Sequence, residues 1–196
     1  MATRIGIFGG TFDPIHTAHL SVAAAVREAL GLDRMLLVVA NQPWQKEGER
    51  ALTPAEDRYA MVAAAVAGRP GLEACRIEID RGGPSYTIDT VRELKRLEPG
   101  AELTVVVGSD VAAALTTWRD EPALRREVTL AVVGRPGAPP VPPPPGWRAV
   151  SVPVAPFDVS STELRRRLEA GGSVDELVPE AVVRCIEERG LYATGR

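Results

Sequence analysis

Short apolar runs alternate with amphipathic stretches along the whole chain. The runs predict strands at Thr3–Phe8, Met35–Ala40, Cys75–Ile79, Leu103–Val107, Leu130–Val133 and Ala149–Val152. Two of them, MLLVVA and LTVVVG, are apolar at nearly every position instead of alternating, as expected of strands covered on both faces of a parallel sheet. Helical spacing is found at His19–Leu30, Ile88–Leu97, Pro122–Glu127, Ser161–Ala170 and Pro179–Arg189, and a further helix is expected to start near Thr53. Gly31 suits the position just beyond a helix end, and Thr53 with Glu56 has the spacing of a capping box, with Pro54 in the first turn. Strands and helices in alternation imply right-handed βαβ units and an open α/β sheet with helices on both faces, ending in a small C-terminal helical segment.

The length of 196 residues fits a single domain, 1–196, able to bury a core without disulfide or metal staples. Apolar residues make up 45% and charged residues 25%, a globular composition. No apolar window is long enough to cross a bilayer, and the start MATRIGIFGG lacks the apolar stretch of a secretory signal, so a cytoplasmic protein with no membrane partner is expected. A net charge of −3 argues against a nucleic-acid partner while leaving room for a small phosphorylated ligand. The basic residues are almost all arginine, Lys46 and Lys95 being the exceptions. Cys75 and Cys185 are far apart with no histidine nearby, and read as reduced structural thiols. Pro139–Pro145, six prolines in seven residues, reads as a stiff exposed connector.

Candidate chemistry begins where the first strand ends, in Gly9-Gly10-Thr11-Phe12-Asp13-Pro14-Ile15-His16-Thr17-Ala18-His19. Glycines after a buried strand let a ligand approach the backbone, and the helix that follows points unpaired N–H groups at the same place. Neither G-x-G-x-x-G nor G-x-x-x-x-G-K-[ST] occurs, which removes support for a redox dinucleotide fingerprint or a P-loop. The chain has two histidines, and both sit at this helix start, three residues apart. Two unrelated surface histidines and a metal pair are alternatives, but a zinc site needs at least a third protein ligand and none is suggested nearby. Donors to a phosphate beside the glycines fit better. Far downstream, Asp158-Val159-Ser160-Ser161-Thr162-Glu163-Leu164-Arg165 has a capping-box helix start, three successive hydroxyls and an arginine one turn in. A plain helix start accounts for Ser160 and Glu163; the remaining hydroxyls and the guanidinium suit a polyphosphate.

These segments carry a resemblance. GGTFDPIHTAH resembles the GGTFDP-x-H-x-G-H signature of the nucleotidylyltransferase superfamily, with Ala18 where that signature has its last glycine, and SSTELR resembles the superfamily's C-terminal [ST]-S-T-x-x-R motif. Between them lie PWQK at Pro43, GPSYTIDT at Gly83, VGSD at Val107, LTTW at Leu115 and GRPG at Gly134, in family order. Together they resemble the bacterial nicotinate mononucleotide adenylyltransferases over nearly the whole chain. The resemblance implies a Rossmann-like open parallel sheet and adenylyl transfer from ATP to nicotinate mononucleotide, giving deamido-NAD and pyrophosphate, with Mg²⁺ accompanying ATP. It implies that Gly9, Gly10, Thr11, Phe12, His16, His19, Ser160, Ser161, Thr162 and Arg165 surround the ATP phosphates. His16, His19 and Arg165 are the catalytic donors in this reading. Gly108 and Asp110 are placed for the adenosine ribose and Arg135 for the adenine side. Lys46, Tyr86, Thr87, Trp118 and Arg119 are placed for the mononucleotide. Read without the family, Asp110 could cap a helix, Trp118 could be core and Lys46 could be idle in a loop. Another transferase of the superfamily, a phosphopantetheine adenylyltransferase or a cytidylyltransferase, and a catalytically silent nucleotide-binding homologue are the competing functions. The oligomeric state stays open, a homo-oligomer included.

Overall fold

The computed structural model describes residues 2–43, 52–134, 144–155 and 158–193. Six strands form one sheet: β1 (Arg4–Gly10), β2 (Arg34–Val39), β3 (Leu72–Cys75), β4 (Glu102–Gly108), β5 (Thr129–Gly134) and β6 (Ala149–Pro153). Their order is β3-β2-β1-β4-β5-β6, and every neighbouring pair is parallel. This is the Rossmann-like doubly wound arrangement, in which the chain moves outward from β1 in one direction and then, from β4, in the other.

The apolar character of the central strands follows from that placement. Met35, Leu37 and Val39 of β2 join one core cluster, while Leu36 and Val38 join the other. The first face is covered by α1 (Thr17–Ala29), α2 (Ala55–Val66), α7 (Ser161–Glu169) and α8 (Glu180–Glu188), through residues such as Val26, Met61, Leu164 and Ile186. The second is covered mainly by α4 (Thr87–Leu97), α5 (Ser109–Ala113) and α6 (Glu121–Glu127), through Val91, Ala112 and Leu124.

Helix ends follow their glycines. Beyond α1, Gly31 has φ +57°, its N–H bonds to Glu28 O, and Leu32 N–H bonds to Arg27 O. These are the two hydrogen bonds of a Schellman motif, and α7 and α8 close in the same way at Gly171 and Gly190.

Two expectations are corrected. The segment Cys75–Ile79 is not a strand: β3 ends at Cys75, and Ile77–Arg81 forms the short helix α3. Its apolar positions fit either period, and the Arg76–Asp80 ion pair at 2.7 Å together with Gly82 at φ +72° favours a single helical turn. The Thr53–Glu56 capping box does not form either. Pro54 is the N-cap of α2, Thr53 O instead accepts from Arg58 Nε at 2.8 Å, and the Glu56 carboxylate pairs with Arg76 at 2.9 Å.

Candidate active site

In an open parallel sheet, a crevice opens at the carboxyl ends of the strands where the winding direction reverses. Here that point lies between β1 and β4. A cleft of about 280 Å³ occupies it, with walls that include Gly9, Gly10, Thr11, Gly108, Thr87 and Trp118. All six were expected at a nucleotide site. They come from four separate segments of the sequence.

The two glycines belong to the strand rather than to a turn. Gly9 pairs with Val38 and Gly10 with Val39, and neither has positive φ. Only Gly10 is needed for close approach. A Cβ on Gly10 would strike the Phe12 ring at 2.8 Å, whereas a Cβ on Gly9 would meet nothing within 4 Å. The turn itself begins at Phe12, with φ +50°, and the Asp13–Pro14 peptide is cis. The Phe12 ring meets the His19 ring edge-on, with centroids 5.1 Å apart.

His16 is the N-cap of α1, and His19 lies three residues into that helix, so the helix start brings both imidazoles together. The rings stack with centroids 3.7 Å apart. His19 Nδ1 accepts the backbone N–H of His16 at 3.3 Å, so a neutral His19 carries its proton on Nε2. His16 is buried, and burial lowers its pKa to about 4. It is therefore neutral at pH 7, and its Nδ1 has no hydrogen-bond partner among the described residues. A neutral imidazole of this kind serves as a hydrogen-bonding group and is too weak a base to take a proton at neutral pH.

The start of α7 lies against the same turn. Ser160 is its N-cap, the side chain accepting from Glu163 N–H at 3.3 Å. Glu163 does not return the bond; its carboxylate is held at 2.8 Å by Arg166 and Arg167, which keep its pKa near 2. Ser161 Oγ donates to Pro14 O at 3.0 Å. Arg165 reaches Asp13 O with Nη1 at 2.7 Å and Thr162 Oγ1 with Nη2 at 3.1 Å. Asp13 and Pro14 thus join the two motifs, 147 and 152 residues apart in sequence.

On the opposite side, Tyr86 is the N-cap of α4 and Thr87 its first residue, so the first-turn N–H groups sit beside the cleft. Arg119 lies over the Tyr86 ring at 4.6 Å and pairs with Asp89 at 3.5 Å. Trp118 packs against the second core cluster and also lines the cleft, and its buried Nε1–H has no partner among the described residues. Gly108 ends β4 as the N-cap of α5, with Asp110 in the first turn of that helix and making no capping bond. Lys46 and Arg135 lie outside the described residues, as do Pro139–Pro143 of the proline-rich stretch. Among the described residues no group of three or more His, Cys, Asp or Glu could hold a metal ion, and no helix is long and apolar enough to cross a membrane.

The chain is similar to known proteins in sequence and in fold. A family model described as cytidylyltransferase-like matches residues 7–167. A Thermus thermophilus protein named "Probable nicotinate-nucleotide adenylyltransferase" is 46% identical over 194 residues, covering 96% of this chain and 99% of the relative. A Streptomyces coelicolor protein of the same name is 44% identical, covering 94% and 98%. The chain belongs to the nicotinate-nucleotide adenylyltransferase family. The fold is shared with the Plasmodium falciparum nicotinic acid mononucleotide adenylyltransferase complexed with NaAD, at a TM-score of 0.79, 18% identity and 97% coverage of each chain.

This family member also builds its site on residues that motif reading passed over. Arg58 is 1% exposed and donates to Thr11 O, Ala40 O, Asn41 O and Thr53 O at 2.7–3.2 Å. It ties the ends of β1 and β2 to the start of α2. The available signal was an arginine at helical spacing with Met61, Val62 and Ala65, on a face that should be apolar. Ser85 and Glu78 also line the cleft. Ser85 Oγ accepts from Asn41 N–H at 2.8 Å and Glu78 accepts from Thr90 Oγ1 at 2.6 Å.

Proposed function

We propose that this single-domain protein is a cytoplasmic enzyme of NAD biosynthesis that transfers the adenylyl group of ATP to nicotinate mononucleotide. The products are deamido-NAD and pyrophosphate. The observation that carries the reading is the convergence of two phosphate-type helix starts, α1 with its histidines and α7 with its hydroxyls and Arg165, on one turn beside the cleft.

In the reaction an oxygen of the mononucleotide 5′-phosphate forms a bond to the α-phosphorus of ATP, and the bond from that phosphorus to the α,β-bridging oxygen breaks. The electron pair leaves with pyrophosphate. A phosphate monoester has its second pKa near ~6, so the nucleophile needs no base at neutral pH. A buried, neutral His16, too weak a base to take a proton at neutral pH, suits that chemistry. The protein's work is alignment and stabilisation of charge.

His16 and His19 hold the ATP phosphates, with the Gly9–Phe12 segment passing beneath them. Arg165 and Ser160–Thr162 take the β- and γ-phosphates that leave. Gly108 and Asp110 hold the adenosine ribose, and Arg135 the adenine side. Trp118 stacks on the pyridine ring, the N–H groups around Tyr86–Thr87 and Arg119 receive its carboxylate, and Lys46 takes the mononucleotide phosphate. The donor set is neutral or cationic, so it fits phosphate oxygens, and Mg²⁺ would come with ATP, held by those oxygens and water with few protein ligands. Bound there, the ion neutralises charge on the leaving pyrophosphate.

Pyrophosphate release decides the matter, measured with ATP and Mg²⁺ against nicotinate mononucleotide, nicotinamide mononucleotide and phosphopantetheine, and with CTP replacing ATP. Release that is fastest with ATP and nicotinate mononucleotide is expected. Release with none of the pairs would make the protein a silent homologue, and preference for another pair would make it a different transferase.

A further inference from the structure

Asp13 is 2% exposed and stands at the centre of the turn that joins the two phosphate helices. Its backbone oxygen receives Arg165, and one carboxylate oxygen, Oδ2, receives Thr53 N–H at 3.5 Å. The other, Oδ1, receives the hydroxyl of Tyr192 at 2.6 Å, across 179 residues of sequence. Tyr192 follows α8 through the Schellman turn at Gly190, where Leu191 N–H bonds to Ile186 O at 3.0 Å. It then takes φ +62°, a left-handed conformation that is costly for a residue with a Cβ. Surrounding contacts must hold such a residue in place, and here the hydrogen bond to Asp13 and packing on the first core cluster do so. Desolvation, and after it the Asp13 carboxylate, pushes the phenol pKa well above its ordinary value, so the shared proton stays on tyrosine at any working pH.

The same turn is braced a second time from the C-terminal region. Both Thr17 N–H and Thr17 Oγ1 donate to Leu177 O, in the connection between α7 and α8, at 3.0 Å. The start of α1 is thereby fixed relative to α7 and α8 and does not depend on the sheet alone.

We propose that Tyr192 is a positioning residue for the phosphate site: through Asp13 it holds the Asp13–His16 turn in register with Arg165, so that the histidines of α1 and the guanidinium of α7 converge on one triphosphate. This rests on the reading of the site given above. The residue acts through the turn.

Three variants test it: Tyr192→Phe, which removes only the hydroxyl; Tyr192→Leu, which also removes the ring; and Arg184→Gln on α8 as a control. Tyr192→Phe should lower kcat about tenfold, the effect of one lost hydrogen bond to a charged group, while KM for nicotinate mononucleotide stays at the wild-type value. A packing role would instead leave Phe at the wild-type rate and damage only Leu. The chain's two histidines provide a readout that does not need turnover. Their ring proton resonances in the ligand-free protein should both shift in Tyr192→Phe and stay put in Arg184→Gln. A folded Tyr192→Phe with wild-type kcat, or with unmoved histidine resonances, overturns the proposal. If the wild type itself proves inactive on every substrate pair, the functional reading fails, and the resonances alone then decide the role of Tyr192.

Discussion

Replacing His16 by Asn isolates one buried titration. Asn is a favoured N-cap and does not titrate, so the start of α1 is kept while the imidazole is removed. In the unfolded chain His16 takes up a proton near pH 6.5, but in the folded protein only near pH 4. Between those values the unfolded state binds more protons, so stability falls as the pH drops through the window and recovers as it rises. With these two pKa values the histidine removes about 2 kcal/mol of stability on going from pH 8 to pH 5, and about 3 kcal/mol once the pH is below 4. Urea unfolding at pH 8 and pH 5 for the wild type and His16→Asn gives the double difference directly. The variant should lose about 2 kcal/mol less than the wild type over that interval. Groups far from His16 are the same in both proteins and cancel. Equal losses would refute the buried, neutral His16 and with it the view that it meets phosphate as an uncharged group. ATP should narrow the wild-type loss, because an adjacent polyanion favours the protonated ring.

His19→Ala and Arg165→Lys should each lower kcat by ~10²–10³, with circular dichroism unchanged, since each removes a preorganised donor and lysine lacks the guanidinium fork; more than a tenth of wild-type activity in both would displace the site. Nicotinate mononucleotide should be preferred to its amide by roughly 5- to 150-fold in kcat/KM, because a carboxamide NH₂ facing the donors around Thr87 leaves a buried polar group unpaired at a cost of about 1–3 kcal/mol. Thr87→Val should narrow that ratio, while Trp118→Ala should weaken both substrates alike, and equal values in the wild type would sink this reading of the pocket. Ala18→Gly should leave KM for ATP unchanged and cost at most about 1 kcal/mol in chemical denaturation, since Ala18 lies in the first turn of α1; a severalfold lower KM would show that the methyl crowds the nucleotide.

The sheet was legible because burial on both faces leaves a plain mark: MLLVVA and LTVVVG have no polar side to hide, and β2 and β4 are central strands. The Gly9–His19 and Ser160–Arg165 segments stand out in the sequence by residue type, and the fold brings them together at Asp13 and Pro14. The expected strand at Cys75–Ile79 differs because RIEID alternates apolar and charged residues as a strand does, whereas Ile77 and Ile79 pack on different core clusters from the short helix α3. The role of Gly9 and Gly10 was half legible. At Gly10 a small residue is required by the Phe12 ring, which no local pattern encodes, whereas a Cβ on Gly9 would meet nothing within 4 Å. Arg58 and Tyr192 were hidden for a different reason. Their partners are backbone oxygens and a carboxylate brought together only by the fold, and a backbone carbonyl has no letter in the sequence.

Arg58 also bears on how the molecule opens. Loops at ligand sites ordinarily fray on their own, exchanging their amide hydrogens long before the core does. Here one guanidinium closes on carbonyls from the end of β1, the end of β2 and the approach to α2, and it lies in the same buried face of α2 as Met61 and Val62. Opening this region means breaking several of these bonds at once, each donated by a charged group and worth about 1.5–3 kcal/mol. The floor of the cleft and the core therefore open together, and looser motion is left to the segments that Arg58 does not tether.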